Sequence, residues 1–335
     1  MRRPASIRTS LATIAGLGLL LTACSPAASV SSNSSSSPSS DGKVHVVAST
    51  NVYGDIARAI GGDKVNVEAV ITKSSQDPHS YEATAQDRLM VSKANVVIGN
   101  GGGYDDFIHK IADDSNIPHS NILSVVDVSG LAPAADQGSS AEPSATGDAS
   151  GDGHDHSHGD FNEHVWYSMD AMNKLADALA AKLGELEPGS AASFTSNAAT
   201  FKAGLEGLTA KLATLKVSAG GSPVAITEPV PLYMLEAAGL ENKTPEEYSA
   251  AIEEGTDVPP SVLKAATDLA GSKDVRFLAY NTQTEGPQTE ALKKAAEAAG
   301  VPVVDFSETL PEGKTYLQWM ADNVDNISKA LEKNS

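Results

Sequence analysis

Short unbroken apolar runs alternate along this chain with stretches in which apolar positions recur every three or four residues. Val44-His45-Val46-Val47-Ala48-Ser49-Thr50 is a run of the first kind and predicts a buried strand. Residues 52–60 then predict a helix, stopped by Gly61-Gly62. The same reading gives strands at 65–71, 94–99 and 122–128, with helices at 86–92 and 105–113. Strand-helix-strand alternation of this kind implies a parallel sheet covered by helices. Ligands of such sheets collect at the carboxyl ends of the strands.

Residues 131–161 break the pattern with a segment rich in Pro, Gly, Ser and Asp. A loop that long inside a compact domain is usually functional or disordered. Helices follow at 169–183 and 191–215, the second long enough to span about 37 Å at about 1.5 Å per residue. A second half then repeats the layout, with strands at 224–227, 275–281 and 301–306. Its helices are expected at 232–238, 262–270, 290–299 and 315–333. The two halves share an arrangement and no evident sequence repeat. The expected fold class is therefore α/β, with two lobes, each a parallel sheet flanked by helices, joined by a long helix. Two such lobes leave a cleft, the usual place for a small ligand.

The first residues change the picture from a cytoplasmic to an exported protein. Arg2, Arg3 and Arg8 precede an apolar stretch from Leu11 to Leu21, the pattern of an export signal and too short to span a membrane. The stretch ends in Leu21-Thr22-Ala23-Cys24, which has the form of a bacterial lipobox, and Cys24 is the chain's single cysteine. No internal disulfide is possible, and Cys24 is expected to carry the lipid. Residues 25–41 are Ser-rich with Pro26 and Pro38, a composition suited to a flexible leash. Without Arg2, Arg3 and Arg8 the chain holds 21 basic against 43 acidic side chains, a net charge of −22. That balance disfavours nucleic acid and electrostatic adhesion to anionic lipid.

The acidic surplus gains meaning from the histidines. His154, Asp155, His156 and His158 stand in Gly151-Asp152-Gly153-His154-Asp155-His156-Ser157-His158-Gly159-Asp160, a chelating tract suited to divalent cations such as zinc. Four further residues fall where a lobe would face the cleft. His79 lies in Asp77-Pro78-His79-Ser80-Tyr81-Glu82 after the second strand, and His164 in Asn162-Glu163-His164-Val165-Trp166. Glu228 follows strand 224–227, and Glu308 follows strand 301–306. Asn281 to Gly286 is placed either to hydrogen-bond ligand carboxylates or to serve as an ordinary capped loop. Gly99-Asn100-Gly101-Gly102-Gly103 has neither the Lys-Ser/Thr nor the GxGxxG spacing of a phosphate loop, and close backbone approach explains it better. His45, His109 and His119 have no matching context and receive no role.

Taken together, these segments resemble the solute-binding lipoproteins of zinc and manganese ABC importers. The lipobox at Cys24, Asp77 to Glu82, Asn162 to Trp166, Thr227-Glu228-Pro229 and Phe306 to Leu310 carry the likeness, which extends from about Lys43 to the end of the chain. The resemblance implies a rigid linking helix and one metal ion between the lobes, held by His79, His164, Glu228 and Glu308. The implied divisions are a signal peptide at 1–23 and a lipid-anchored linker at 24–42. An N-terminal lobe at 43–187, a linking helix at 188–221 and a C-terminal lobe at 222–335 complete them. Glu308 stands where the family usually has aspartate, which leaves Asp305 as an alternative ligand. Glu228 stands where zinc members have histidine and manganese members glutamate. Two imidazoles and two carboxylates suit Mn2+ or Fe2+, whereas the His-rich loop and the affinity order favour Zn2+. The expectation is Zn2+, with Mn2+ or Fe2+ as the alternative, carried by a monomer outside the cytoplasmic membrane. Its expected partners are a permease, the permease's ATPase and, through the lipid, the membrane. A metal buffer or adhesin and a secreted metalloenzyme are the competing classes. The enzyme reading lacks a His-Glu-x-x-His motif and an open coordination position.

Overall fold

A computed structural model describes residues 42–132 and 161–333. These lie in one compact unit, Pro38–Ser335. Cys24 and the His154–His158 tract fall outside the described residues.

The first half folds as a four-stranded parallel sheet. Its strands are β1 (Val44–Thr50), β2 (Val65–Ile71), β3 (Val96–Gly99) and β4 (Ile122–Ser124), in the order β2-β1-β3-β4. Helices α1 (Asn51–Gly61), α2 (Ala85–Val91), α3 (Asp106–Asp114) and α4 (Val125–Ser129) connect and flank them. The second half contains β5 (Pro223–Ile226), β6 (Glu241–Asn242), β7 (Leu278–Asn281) and β8 (Val303–Phe306). Its order is β6-β5-β7-β8, again all parallel. Both sheets thus place the first strand of their half second, between the next two. Helices α7 (Leu232–Ala237), α8 (Glu246–Glu253), α9 (Pro260–Ala270), α10 (Pro287–Ala299) and α11 (Tyr316–Lys333) belong to the second half.

Between the sheets run α5 (Met169–Leu186) and α6 (Ala191–Ala219). The 29 residues of α6 extend about 43 Å at about 1.5 Å per residue. Its buried residues Phe194, Ala198, Phe201, Leu205, Leu208 and Leu212 follow steps of four and three, one continuous stripe. That stripe belongs to a core shared by β1, α1 and α5 on one side and by β5, α7 and α11 on the other. At Gly204 a Cβ would stand 2.6 Å from Leu317 Cδ1, so glycine lets α11 close onto α6. The connection is a packed beam, and the two sheets share one hydrophobic interior.

One predicted strand is corrected. Residues 122–128 form a strand only to Ser124, after which Val125–Ser129 is helical. Ser124 Oγ accepts the Asp127 N–H and so caps the turn, and Gly130, at φ 65°, ends it in the left-handed region. Apolar β-branched residues at 125, 126 and 128 mimic a strand, but the cap and the glycine decide the local fold. The pattern also misses β6 and α8 altogether.

Candidate metal centre

Each residue of the expected ligand set sits just past the carboxyl end of a strand or at the start of a helix. His79 follows β2 on a turn that its own sequence builds: Asp77 Oδ1 accepts the His79 N–H (3.0 Å) and Asp77 Oδ2 the Ser80 hydroxyl (2.7 Å). His164 precedes a short 3₁₀ turn, Val165–Tyr167, that leads into α5. Asn162 Oδ1 accepts both the His164 backbone N–H (3.1 Å) and its ring Nδ1 (2.8 Å). An amide oxygen accepts only, so Nδ1 carries the proton and Nε2 keeps its lone pair for an ion.

The structure brings His79, His164 and Glu308 together, with one ligand atom of each within 4.8 Å of the others. Glu308 is 5 % exposed and His164 1 %. The His79 side chain is 25 % exposed, the most open of the three. Glu228, 3 % exposed, stands beside this set rather than within it. Asn281, at the end of β7, donates through Nδ2 to Glu228 Oε2 and to Glu308 Oε1, the latter at 2.8 Å, so one amide group spans the two carboxylates. Thr284 Oγ1 donates to the same oxygen of Glu228. Gln283 Oε1 accepts the Glu308 and Thr309 N–H groups, both at 2.8 Å, and fixes the backbone at Glu308. The 281–286 segment therefore orients the carboxylates. Asp305 is exposed on β8 and belongs to neither ligand cluster.

Aromatic rings wall the site. Tyr104 packs edge-on against His79 at 4.9 Å between centroids and against His164 at 5.8 Å, and Trp166 packs against His164 at 5.1 Å. The Tyr104 hydroxyl donates to Glu308 Oε2 at 3.2 Å. Tyr104 reaches this position because the glycines before it all take left-handed backbone, with φ of 79°, 67° and 91° at Gly101, Gly102 and Gly103. A Cβ on Gly101 would also stand 2.6 Å from Ser124 Oγ. The Asp105 carboxylate, accepting the N–H groups of Asn100 (2.6 Å) and Gly101 (2.9 Å), holds the turn. The glycine run thus serves close approach.

Burial sets the electrostatics. It pushes Glu308 up to about 7 and, with the Glu308 charge adding, Glu228 up to about 8. It pushes His164 well below the ordinary imidazole range, and the nearby His79 adds to the effect. A neutral imidazole and carboxyls that resist charging make a site in which a cation supplies the missing stabilisation.

Two nearby carboxylates were not anticipated. Glu163, between Asn162 and His164, is 3 % exposed and raised to about 7, chiefly by burial. Glu253, the last residue of α8, is raised to about 9 by burial and then by the charges of Glu163, Glu228 and Glu308. Glu163 stood next to a candidate ligand and was legible as a neighbour. Nothing in the sequence pointed to Glu253.

Two α/β halves around a buried imidazole-carboxylate cluster at strand ends define a solute-binding protein for a metal cation. Comparison with known proteins gives the particular family. Residues 46–330 match the family described as zinc-uptake complex component A, periplasmic, and the chain belongs to that family. It is 26 % identical, over 95 % of its length and 98 % of the other's, to the manganese ABC transporter substrate-binding lipoprotein scaA of Streptococcus gordonii. It is 23 % identical to the iron ABC transporter substrate-binding lipoprotein MtsA of Streptococcus pyogenes serotype M1, over 94 % of this chain and 95 % of that one. Its fold matches the Treponema pallidum periplasmic zinc binding protein TroA with a TM-score of 0.65 at 22 % identity, covering 87 % of this chain and 99 % of that one. It likewise matches the Pseudomonas aeruginosa binding protein FpvC in complex with Mn2+, with a TM-score of 0.65 at 22 % identity over 88 % and 100 % of the two chains. The expected family, α/β fold and lipid-anchored extracytoplasmic location agree with these relatives. Among the described residues no helix is long and apolar enough to cross a membrane.

Proposed function

We propose that this protein captures Zn2+ outside the cytoplasmic membrane and delivers it to an ABC permease driven by its ATPase. The ion is cargo, held by His79, His164 and Glu308, with Glu228 as the fourth ligand. One observation carries the reading: ligand atoms from three separate segments, following β2, preceding α5 and following β8, converge within 4.8 Å. Glu228 and Glu308 neutralise the ion's charge, and the imidazoles bind in their neutral form. Asn281, Thr284, Gln283 and Asn162 hold the ligands in place before the ion arrives.

Mn2+ is the second reading, and the oxygen content of the site favours it. Glu228 and Glu308 are joined by Glu163 and Glu253 in the same buried region, a harder donor environment than a three-histidine site. The His154–His158 tract supports Zn2+, because it would raise the local concentration of that ion. We assign residues 1–23 to the signal, 24–42 to the anchored linker with lipid on Cys24, and 188–221 to the link between lobes 43–187 and 222–335. The chain is taken to act as a monomer. Glu228 as fourth ligand would fill the position that an activated water needs, which argues against a hydrolase.

The test is metal content and competition on the purified chain, with Zn2+ and Mn2+ offered together, for wild type, His79→Ala and a deletion of residues 148–160. One tight Zn2+ in wild type and in the deletion, lost in His79→Ala, is the expected result. Tight Mn2+ in the cleft with Zn2+ bound only through the loop reverses the metal. No tight ion of either kind overturns the proposal. Uptake at scarce zinc that is unchanged by the deletion removes the collecting role of the loop.

A further inference from the structure

The cleft holds more carboxylate than one divalent ion needs. Glu228 and Glu308 already match the charge of one such ion, which leaves Glu163 and Glu253 in excess of it. Glu163 Oε1 lies 3.7 Å from His79 Nε2, and Glu253 Oε1 lies 3.7 Å from His164 Nδ1. Both Oε1 atoms are enclosed by protein and accept no hydrogen bond among the described residues. The Glu163 side chain is 3 % exposed. An enclosed carboxylate oxygen with no donor is costly, and structures retain one where something absent completes it. Both carboxylates also meet at one imidazole: single ligand atoms of Glu163, His164 and Glu253 fall within 4.8 Å of one another.

We infer that Glu163, His164 and Glu253 form a second position for a divalent cation, next to the His79–His164–Glu308 set. Glu253 is 15 % exposed and comes from α8 of the second half, whereas Glu163 comes from the first. The position is oxygen-rich and the weaker of the two. His164 Nδ1 can join it only by releasing Asn162 Oδ1, which it meets at 2.8 Å, and moving its proton to Nε2. An ion held here rests on the two carboxylates. The neighbouring set, with two imidazoles, wins at equilibrium.

This inference rests on the capture reading, and a count of bound Mn2+ by electron paramagnetic resonance on the full mature chain separates the two. His79→Ala disables the His79–His164–Glu308 set and leaves the second position intact. His79→Ala/Glu253→Gln and His79→Ala/Glu163→Gln each remove one of its carboxylates. All three carry the His-rich loop, so its contribution cancels in the comparison. Both double variants are expected to bind one Mn2+ fewer than His79→Ala, at unchanged melting temperature. Equal counts in the three proteins overturn the second position and leave the capture site standing. A wild-type chain that holds no ion lost in His79→Ala overturns the capture reading instead. The near-isosteric glutamines keep the test interpretable where alanine would open a cavity.

Discussion

Replacing Asn281 by alanine removes the one amide that donates to both Glu228 and Glu308. Asn281 is 2 % exposed, so no solvent stands ready to replace it. A hydrogen bond to a charged group contributes about 1.5–3 kcal/mol, and two are lost. Each carboxylate keeps one other donor, Thr284 for Glu228 and Tyr104 for Glu308, so the full sum is not forfeited. A loss of about 1.4–2.8 kcal/mol in ion binding follows, which is about 10- to 100-fold in affinity.

The loss should also depend on pH. The Asn281 hydrogen bonds lower both carboxylates against the upward push of burial. Removing them sends Glu228 and Glu308 higher still, so protons compete with the ion over a wider range. The assay is competition with a fluorescent chelator at about pH 6 and about pH 8, with the larger defect expected at the lower value. A change below about threefold at both values, in a variant with unaltered melting temperature, would falsify the claim that Asn281 preorganises the carboxylates.

Three further outcomes are expected. In the metal-free chain the raised Glu308, Glu228 and Glu253 contribute stability that is present below about pH 4.5 and lost as pH rises through about 7 to 9. The depressed His164 acts only below about pH 6.5, where it works in the opposite sense. The metal-free melting temperature should therefore fall between about pH 6.5 and 9 while that of the loaded protein stays level, and parallel scanning-calorimetry curves would refute this. Asn162→Ala frees His164 Nδ1, and chelator competition should read about 10- to 100-fold weaker metal binding; unchanged affinity would mean that the ring needs no help to hold its tautomer. Phe201→Ala opens a cavity in the α6 stripe and should cost about 3–5 kcal/mol of stability in denaturant titration; a cost under about 1 kcal/mol would mean that the stripe is loosely packed.

Much of the fold was legible because each half is built from apolar strands that read as continuous runs. Parallel sheets are covered on both faces, and so the inner strands β1 and β3 lack the alternation that would otherwise be sought, whereas the edge strand β2 keeps it in Val65-Asn66-Val67-Glu68. The pattern failed where a few polar atoms decide the outcome. Ser124 and Gly130 turn Val125–Ser129 into a helix although its apolar content reads as strand. The α8 segment escaped because its buried residues are Tyr248, Ser249 and Ala251, too short and too polar a stripe to register as a period. At the site, motif spacing indicated His79, His164 and Glu308, which the fold brings together. Local sequence could not reveal Glu253, which reaches His164 across a separation of 89 residues, or Tyr104, which meets Glu308 across 204. Such partners exist only through the packing of one half on the other.

On the capture reading, that packing also decides how an ion would exchange. The segments bearing His164 and Glu308 are tied across the halves by several polar bonds. Tyr316 Oη donates to the Trp166 carbonyl (2.6 Å), Tyr167 Oη to that of Ser307 (2.8 Å) and Asn162 Nδ2 to that of Pro229 (3.1 Å). Asn51 and Leu310 exchange two more, and Asp55 accepts the Tyr316 N–H at 2.7 Å. At about 0.5–1.5 kcal/mol each, parting the halves would cost several kcal/mol in hydrogen bonds before any core is exposed. The shared core along α6 adds far more. A wide hinge motion is therefore the expensive route. The cheaper one moves the ligand that is least enclosed, His79 on its Asp77 turn, while His164, Glu308 and Asn281 stay fixed. On that reading the site is a rigid half-cage with one accessible arm, which would couple ion exchange to a local turn rather than to the whole fold.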